Sequence, residues 1–210
     1  MDEDGKTQNE TPRSKNDKKE WSQYRGPNRD GIAISNTAIK AWPKGSQPFQ
    51  VWKRPIGEGF SGIVMSGEQL ITAFAEDGAT FMAGFDKTTG KEIWRTDLGK
   101  MFVEEMGNGP RSTPTIDGDF AYFLNSNGGL YCVSVKSGKQ IWKVSLSDRF
   151  EIQRPRRGFS TSPLILGETL ILHGGGKKSA FIGLDKKTGK TIWQAGESIA
   201  GHSSPFTAVI

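Results

Sequence analysis

The chain carries little reactive chemistry. It contains one cysteine, Cys132, and two histidines, His173 and His202, in 210 residues. A single cysteine cannot close an intrachain disulfide or supply a thiolate zinc cluster. Cys132 occupies a position that Gly84 and Gly183 hold elsewhere in the sequence, which marks it as a buried structural thiol and not a nucleophile. His173 ends an apolar run ahead of Gly174-Gly175-Gly176, and no second ligand stands at a metal-binding spacing from it. Those glycines, followed by Lys177-Lys178, lack the spacing of a phosphate loop. Glu104 and Glu105 are adjacent, so on a strand they face opposite sides and make a poor acid/base pair. No apolar stretch reaches the length of a membrane helix, and no signal-peptide core is present. Charge is close to balanced, with 28 Lys and Arg against 23 Asp and Glu. The lysines fall mostly in turns, without the dense basic run and interleaved aromatics of a nucleic-acid surface.

What the chain does have is a repeat. A short apolar strand leads into Asp86-Lys87-Thr88-Thr89-Gly90-Lys91 and then Trp94. The pattern returns at Ser134 to Gly138 with Trp142, and at Asp185 to Gly189 with Trp193. Each Trp follows the turn Gly by four residues, and the Trp residues are 48 and 51 apart. Such periods, built from short strands, indicate a propeller or a similar array. Asp86 and Asp185 can hydrogen-bond amides two residues on, while Gly90, Gly138 and Gly189 supply the positive φ that closes the turn. Ser134 does the same work as Asp more weakly. Trp94, Trp142 and Trp193 are expected to pack between neighbouring sheets, with each indole N–H on a backbone acceptor.

A second hairpin precedes each motif, around Ser66-Gly67-Glu68, Asp117-Gly118-Asp119 and Gly167-Glu168. Pro114 and Pro163 suit the first residue of a strand. One repeat is therefore four antiparallel strands, or one propeller blade. The expected fold is all-β: a partial β-propeller of about three four-stranded blades, with a fourth opening at Ser203-Ser204-Pro205. Residues 1–20 read as a disordered polar leader. Residues 21–52 form an N-terminal segment whose Phe49-Gln50-Val51-Trp52-Lys53 looks like an outermost, ring-closing strand. Residues 53–210 form the incomplete propeller.

The Asp-x-x-Thr-Gly-Lys-x-x-Trp turn resembles the repeat of pyrroloquinoline-quinone (PQQ)-type β-propellers. That family includes quinoprotein dehydrogenases, the propeller lipoprotein of the bacterial outer-membrane assembly machine, and many PQQ-binding-like repeat proteins. Trp21-Ser22-Gln23-Tyr24-Arg25-Gly26-Pro27-Asn28-Arg29-Asp30-Gly31 is similar to the segment ahead of the first blade in the last group. The resemblance covers roughly residues 21 to 210 and implies an extracytoplasmic location. It also implies a ring of seven or eight blades, so the chain reads as a fragment of a longer one; a short form closing by oligomerisation is the alternative. The leader is like the tether that follows a lipoprotein's modified cysteine, although no such cysteine is in this chain. The family's enzymes use PQQ with a calcium ion, a catalytic carboxylate and often an adjacent cysteine pair. The lone Cys132 cannot supply that pair, and no calcium set can be assigned.

Binding in such a scaffold belongs to the loops that enter each inner strand. Two are long, Gly99 to Arg111 and Ser147 to Ser160. Phe102, Met106 and Phe150 are candidate exposed apolar contacts, bordered by Arg111, Arg154 and Arg157. Arg111, Arg157 and His202 precede inner strands at similar repeat positions. They could converge on an anionic ligand, or pair with Glu104, Glu105 or Glu58. The apolar residues could equally fold back into their own loops. The expected role is an exported scaffold that binds a protein partner or ligand through this face, with no catalysis and no cofactor evident. A quinoprotein oxidoreductase fragment is the alternative, and a carbohydrate-binding propeller has no specific support.

Overall fold

The computed structural model describes residues 20–33, 41, 43–47 and 49–208. The expected polar leader lies outside these residues except for Glu20. Three four-stranded antiparallel sheets follow one another along the chain. Blade 1 holds β1 (Val64–Ser66), β2 (Gln69–Glu76), β3 (Ala79–Asp86) and β4 (Glu92–Lys100). Blade 2 holds β5 (Thr115–Asp117), β6 (Phe120–Leu124), β7 (Gly129–Ser134) and β8 (Gln140–Ser145). Blade 3 holds β9 (Leu164–Leu166), β10 (Thr169–His173), β11 (Phe181–Asp185) and β12 (Thr191–Ala195). The fold is a partial β-propeller. Its one described helix, α1 (Leu146–Phe150), sits in a stretch expected to be loop, and Ser145 caps it by accepting from the Asp148 amide. The last strand of each blade runs past its Trp, to Lys100, Ser145 or Ala195. Among the described residues no helix is long and apolar enough to cross a membrane.

Period-two alternation builds the core, because successive side chains on a strand face opposite sides. On β6 and β7, Ala121, Phe123, Tyr131 and Val133 pack against Val64, Ile71, Met82, Trp94 and Leu98 of blade 1. Their neighbours Tyr122, Leu124, Leu130 and Cys132 pack against Leu170, Leu172, Ile182 and Leu184 of blade 3. Blade 2 is thus buried on both faces, which is why β6 and β7 read as continuous apolar runs. Blade 1's far face carries Phe74, Ala83 and Phe85. Arg95 lies 5.1 Å from the Phe74 and Phe81 ring centroids, and Arg54 lies over Phe85. Glu92 and Glu76 pair with these arginines, so that flank is covered by charge.

The Trp of each blade docks on the turn of the next. Trp94 Nε1 donates to Val135 O at 2.7 Å, and its ring lies against Gly138. Trp142 Nε1 donates to Lys186 O at 3.0 Å, and its ring lies against Gly189. Trp52 does the same to blade 1, with Nε1 to Lys87 O at 2.9 Å and its ring against Gly90. The 49–53 segment forms no strand pairing among the described residues, yet its Trp fills the place of a preceding blade's. Trp193 has no such turn to dock on among the described residues and is 37% exposed, against 7% for Trp94.

Turn chemistry follows the residue types. Asp86 Oδ1 accepts from the Thr88 and Thr89 amides and the Thr89 hydroxyl, and Asp185 repeats the set with Lys187 and Thr188. Both carboxyls are held below the ordinary Asp value, first by the Thr hydroxyl and then by the amides. A depressed folded-state value contributes stability above the unfolded value of about 3.9 and loses it as pH falls through the folded one. Carboxyl NMR titrations should therefore give midpoints for Asp86 and Asp185 below the ordinary range. A midpoint at or above it for either residue would contradict the turn geometry.

The N-terminal segment lies across the innermost strands. Trp21 O accepts from the Met65 amide of β1 at 2.9 Å, and Ser22 O from the Ile116 amide of β5 at 2.7 Å. Arg29 is 6% exposed and donates to Pro163 O at 2.8 Å and Ser162 O at 3.0 Å, just ahead of β9. No carboxylate among the described residues pairs with it, and burial lowers its pKa to about 10. The residues entering each inner strand are laced together. Gly62 N donates to Thr113 Oγ1, Thr113 N to Ser162 Oγ, and Ser162 N to Ser204 Oγ. The fourth opening at Ser203-Ser204-Pro205 is thereby placed beside blade 3, although it forms no strand among the described residues.

Candidate functional site

Antiparallel order puts the turns after the first and third strands of each blade at one end, and the loops between blades at the other. The two long loops share that second end and touch. Arg154 stands over the Phe102 ring at 4.9 Å, and Arg156 pairs with Glu105 at 3.3 Å. The Arg156–Glu105 pair is mostly exposed and contributes little by itself.

The 101–111 loop is organised around Arg111. Its guanidinium donates to Gly107 O at 2.7 Å and Gly109 O at 2.9 Å, and it approaches Glu104 Oε2 at 3.5 Å. It lies 4.7 Å from the Phe102 ring centroid and 5.4 Å from that of Phe60. Burial lowers its pKa, the Glu104 carboxylate opposes the shift, and the nearby Arg157 adds to it. Arg111 is therefore a clamp for its own loop, with the Glu104 partner that its sequence neighbours allowed. Glu104 Oε2 also accepts from the Met106 amide, and Asn108 bridges to Glu58.

The structure corrects two expected contacts. Phe102, expected at the surface, is 4% exposed because two arginines and Gly158 enclose it. Phe150, also expected at the surface, is 9% exposed because α1 turns it into the core between blades 2 and 3 with Leu146, Ile152 and Phe159. Met106 does project, at 64% exposure, and so does Val103, at 67%. Val103 was not singled out from the sequence; its place one residue after the buried Phe102 is the alternation that could have found it. Arg154 and Arg157 are exposed on the second loop. His202 is exposed nearby, its Nδ1 3.0 Å from Ser160 Oγ. Arg111, Arg157 and His202 do not converge on one ligand point, since Arg111 is committed to its own loop.

The resemblance raised a calcium and quinone site. Among the described residues no group of three or more His, Cys, Asp or Glu side chains could hold a metal ion. Cys132 is a single buried thiol, its pKa pushed up to about 12 by burial.

A family model described as "Outer membrane protein assembly factor BamB" matches residues 49–151 and 80–210. Similar solved structures include BamB from Moraxella catarrhalis, at 20% identity and TM-score 0.44, covering 63% of this chain and 35% of that one. Quinohemoprotein alcohol dehydrogenase ADHIIG from Pseudomonas putida HK5 is 15% identical at TM-score 0.48, covering 67% and 21%. The computationally designed Ika4 protein is 11% identical at TM-score 0.49, covering 78% and 88%. The chain thus spans about a third of the BamB structure and a fifth of the dehydrogenase. No curated relative matches it.

Proposed function

This chain belongs to the PQQ-like repeat family described as outer membrane protein assembly factor BamB, and from that footing we propose that it is an extracytoplasmic scaffold that binds a protein partner through its loop face. One observation carries the reading: Val103 and Met106 stand 67% and 64% exposed on a loop whose base is clamped by the half-buried Arg111. Apolar tips on a rigid, pre-formed loop lose little conformational freedom when they dock, so more of their burial reaches the binding free energy. The exposed Arg156 and Arg157 border them and belong to a residue type enriched at binding hot spots.

Site-specific photo-cross-linking in the producing cell tests this. A benzophenone side chain at position 103 or 106 should give a discrete protein adduct. The same group in place of Lys136, in a turn at the other end of blade 2, should give none. Adducts at 136 alone, or no adduct at 103 and 106, would overturn the reading.

A further inference from the structure

Between blades 1 and 2 the loop face opens into a cleft of about 590 Å³. Leu98 to Val103 form one wall, and Tyr131, Lys143, Ser145, Asp148 and Arg154 the other. Its charge is one-sided. Lys100, Lys143 and Arg154 line it against the single carboxylate of Asp148. Among the described residues none of these three cations makes a salt bridge. Two of them are nevertheless placed. The Lys143 ammonium lies 5.1 Å from the Tyr131 ring centroid, and the Arg154 guanidinium 4.9 Å from that of Phe102. Ring faces attract and orient a cation without neutralising it, so the cleft presents fixed, uncompensated positive charge.

We propose that this cleft is the docking site for an acidic, extended peptide segment of the partner, whose carboxylates pair with Lys100, Lys143 and Arg154. The inference rests on the partner-binding reading above and specifies the partner's chemistry. Charge complementarity selects the occupant. Nucleic acid is the poorer fit: Tyr131 and Phe102 are 2% and 4% exposed beneath the cations, so bases would find no open ring to stack on. Strand addition to β4 is not the mode. The Leu98 and Lys100 carbonyls already accept from Asn125, Tyr131 and Asn127, and Gly99 at φ +96 breaks the edge. Recognition therefore falls on the side-chain charges, which favour fast association and specificity.

The test is a fluorescence-anisotropy titration of the whole chain with a labelled octapeptide of alternating Glu and Ser, and with its Gln-Ser counterpart. The Glu peptide should bind at low ionic strength, the Gln peptide should not, and added salt should weaken binding. Lys100→Ala, Lys143→Ala and Arg154→Ala should each weaken it by about two- to fivefold, as for exposed ion pairs. Lys136→Ala should leave it unchanged. The triple variant Lys100→Glu, Lys143→Glu, Arg154→Glu should lose the Glu peptide and take a Lys-Ser octapeptide, which shows the cleft still folded. Equal binding of the Gln peptide, or a triple variant that keeps the Glu peptide, overturns the inference. So does displacement by inorganic phosphate at matched ionic strength, which would assign the cleft to small anions. None of these outcomes touches the partner-binding reading, which the cross-links at positions 103 and 106 test separately.

Discussion

Trp94→Ala is expected to destabilise the protein by about 3–5 kcal/mol, the range for deleting a large buried aromatic. Trp94 is 7% exposed and donates to both Val135 O and Gln69 Oε1, so its loss opens a cavity and strands a buried acceptor. Trp142, half-buried with its ring centroid 6.0 Å from that of Tyr122 in a tilted pair, should cost less. Trp193 is 37% exposed and has no following turn among the described residues, so Trp193→Ala should cost about 1 kcal/mol. The three motifs are nearly identical in sequence, so the ordering Trp94, Trp142, Trp193 isolates docking from local propensity. Urea midpoints at a shared m-value measure it. Equal costs at all three positions would show that the indole stabilises its own hairpin and not the contact between blades.

Gly138→Ala is expected to cost about 2–5 kcal/mol, from two separable causes. The backbone there sits at φ +70, a left-handed conformation that costs a residue with a Cβ about 1–2 kcal/mol. A methyl group would also stand 2.5 Å from the Trp94 ring and 2.8 Å from Thr96 Oγ1, an overpacking that costs a further 1–3 kcal/mol or so. Gly118 and Gly67 separate the causes, since both have positive φ but nothing within 4 Å of the added carbon. Gly118→Ala and Gly67→Ala should therefore show the smaller, conformational cost alone. If Gly138→Ala destabilises no more than these controls, the indole does not rest on the turn.

The repeat was legible because its signals are local. Asp86 and Asp185 are followed by residues that satisfy them within three positions, and Gly90, Gly138 and Gly189 take the positive φ that their turns require. Arg29 gave no such signal. Its backbone acceptors, Ser162 O and Pro163 O, lie 133 and 134 residues away, and a buried cation held by such distant carbonyls has no sequence pattern. The candidate site was half legible. Long loops with Arg and aromatic residues were located correctly and do meet at one face. Of the apolar residues named, Met106 is exposed as expected and Phe102 is not, because Arg111 folds back between Phe60 and Phe102.

The amino-acid sequence by itself determined the blade. Period-two alternation, turn chemistry and a Trp at constant spacing are properties of short segments, and together they fix four antiparallel strands per repeat. Tertiary structure alone decided what each blade does to its neighbour. Trp94 and Trp193 share one turn pattern yet end at 7% and 37% exposure, because Trp94 has a following turn to dock on and Trp193 has none among the described residues. It also decided the loop face. Phe102 is buried and Val103 exposed by contacts with Arg111, Arg154 and Gly158. The charged cleft arises between Lys100 on one blade and Lys143 on the next, residues that meet only when two sheets pack.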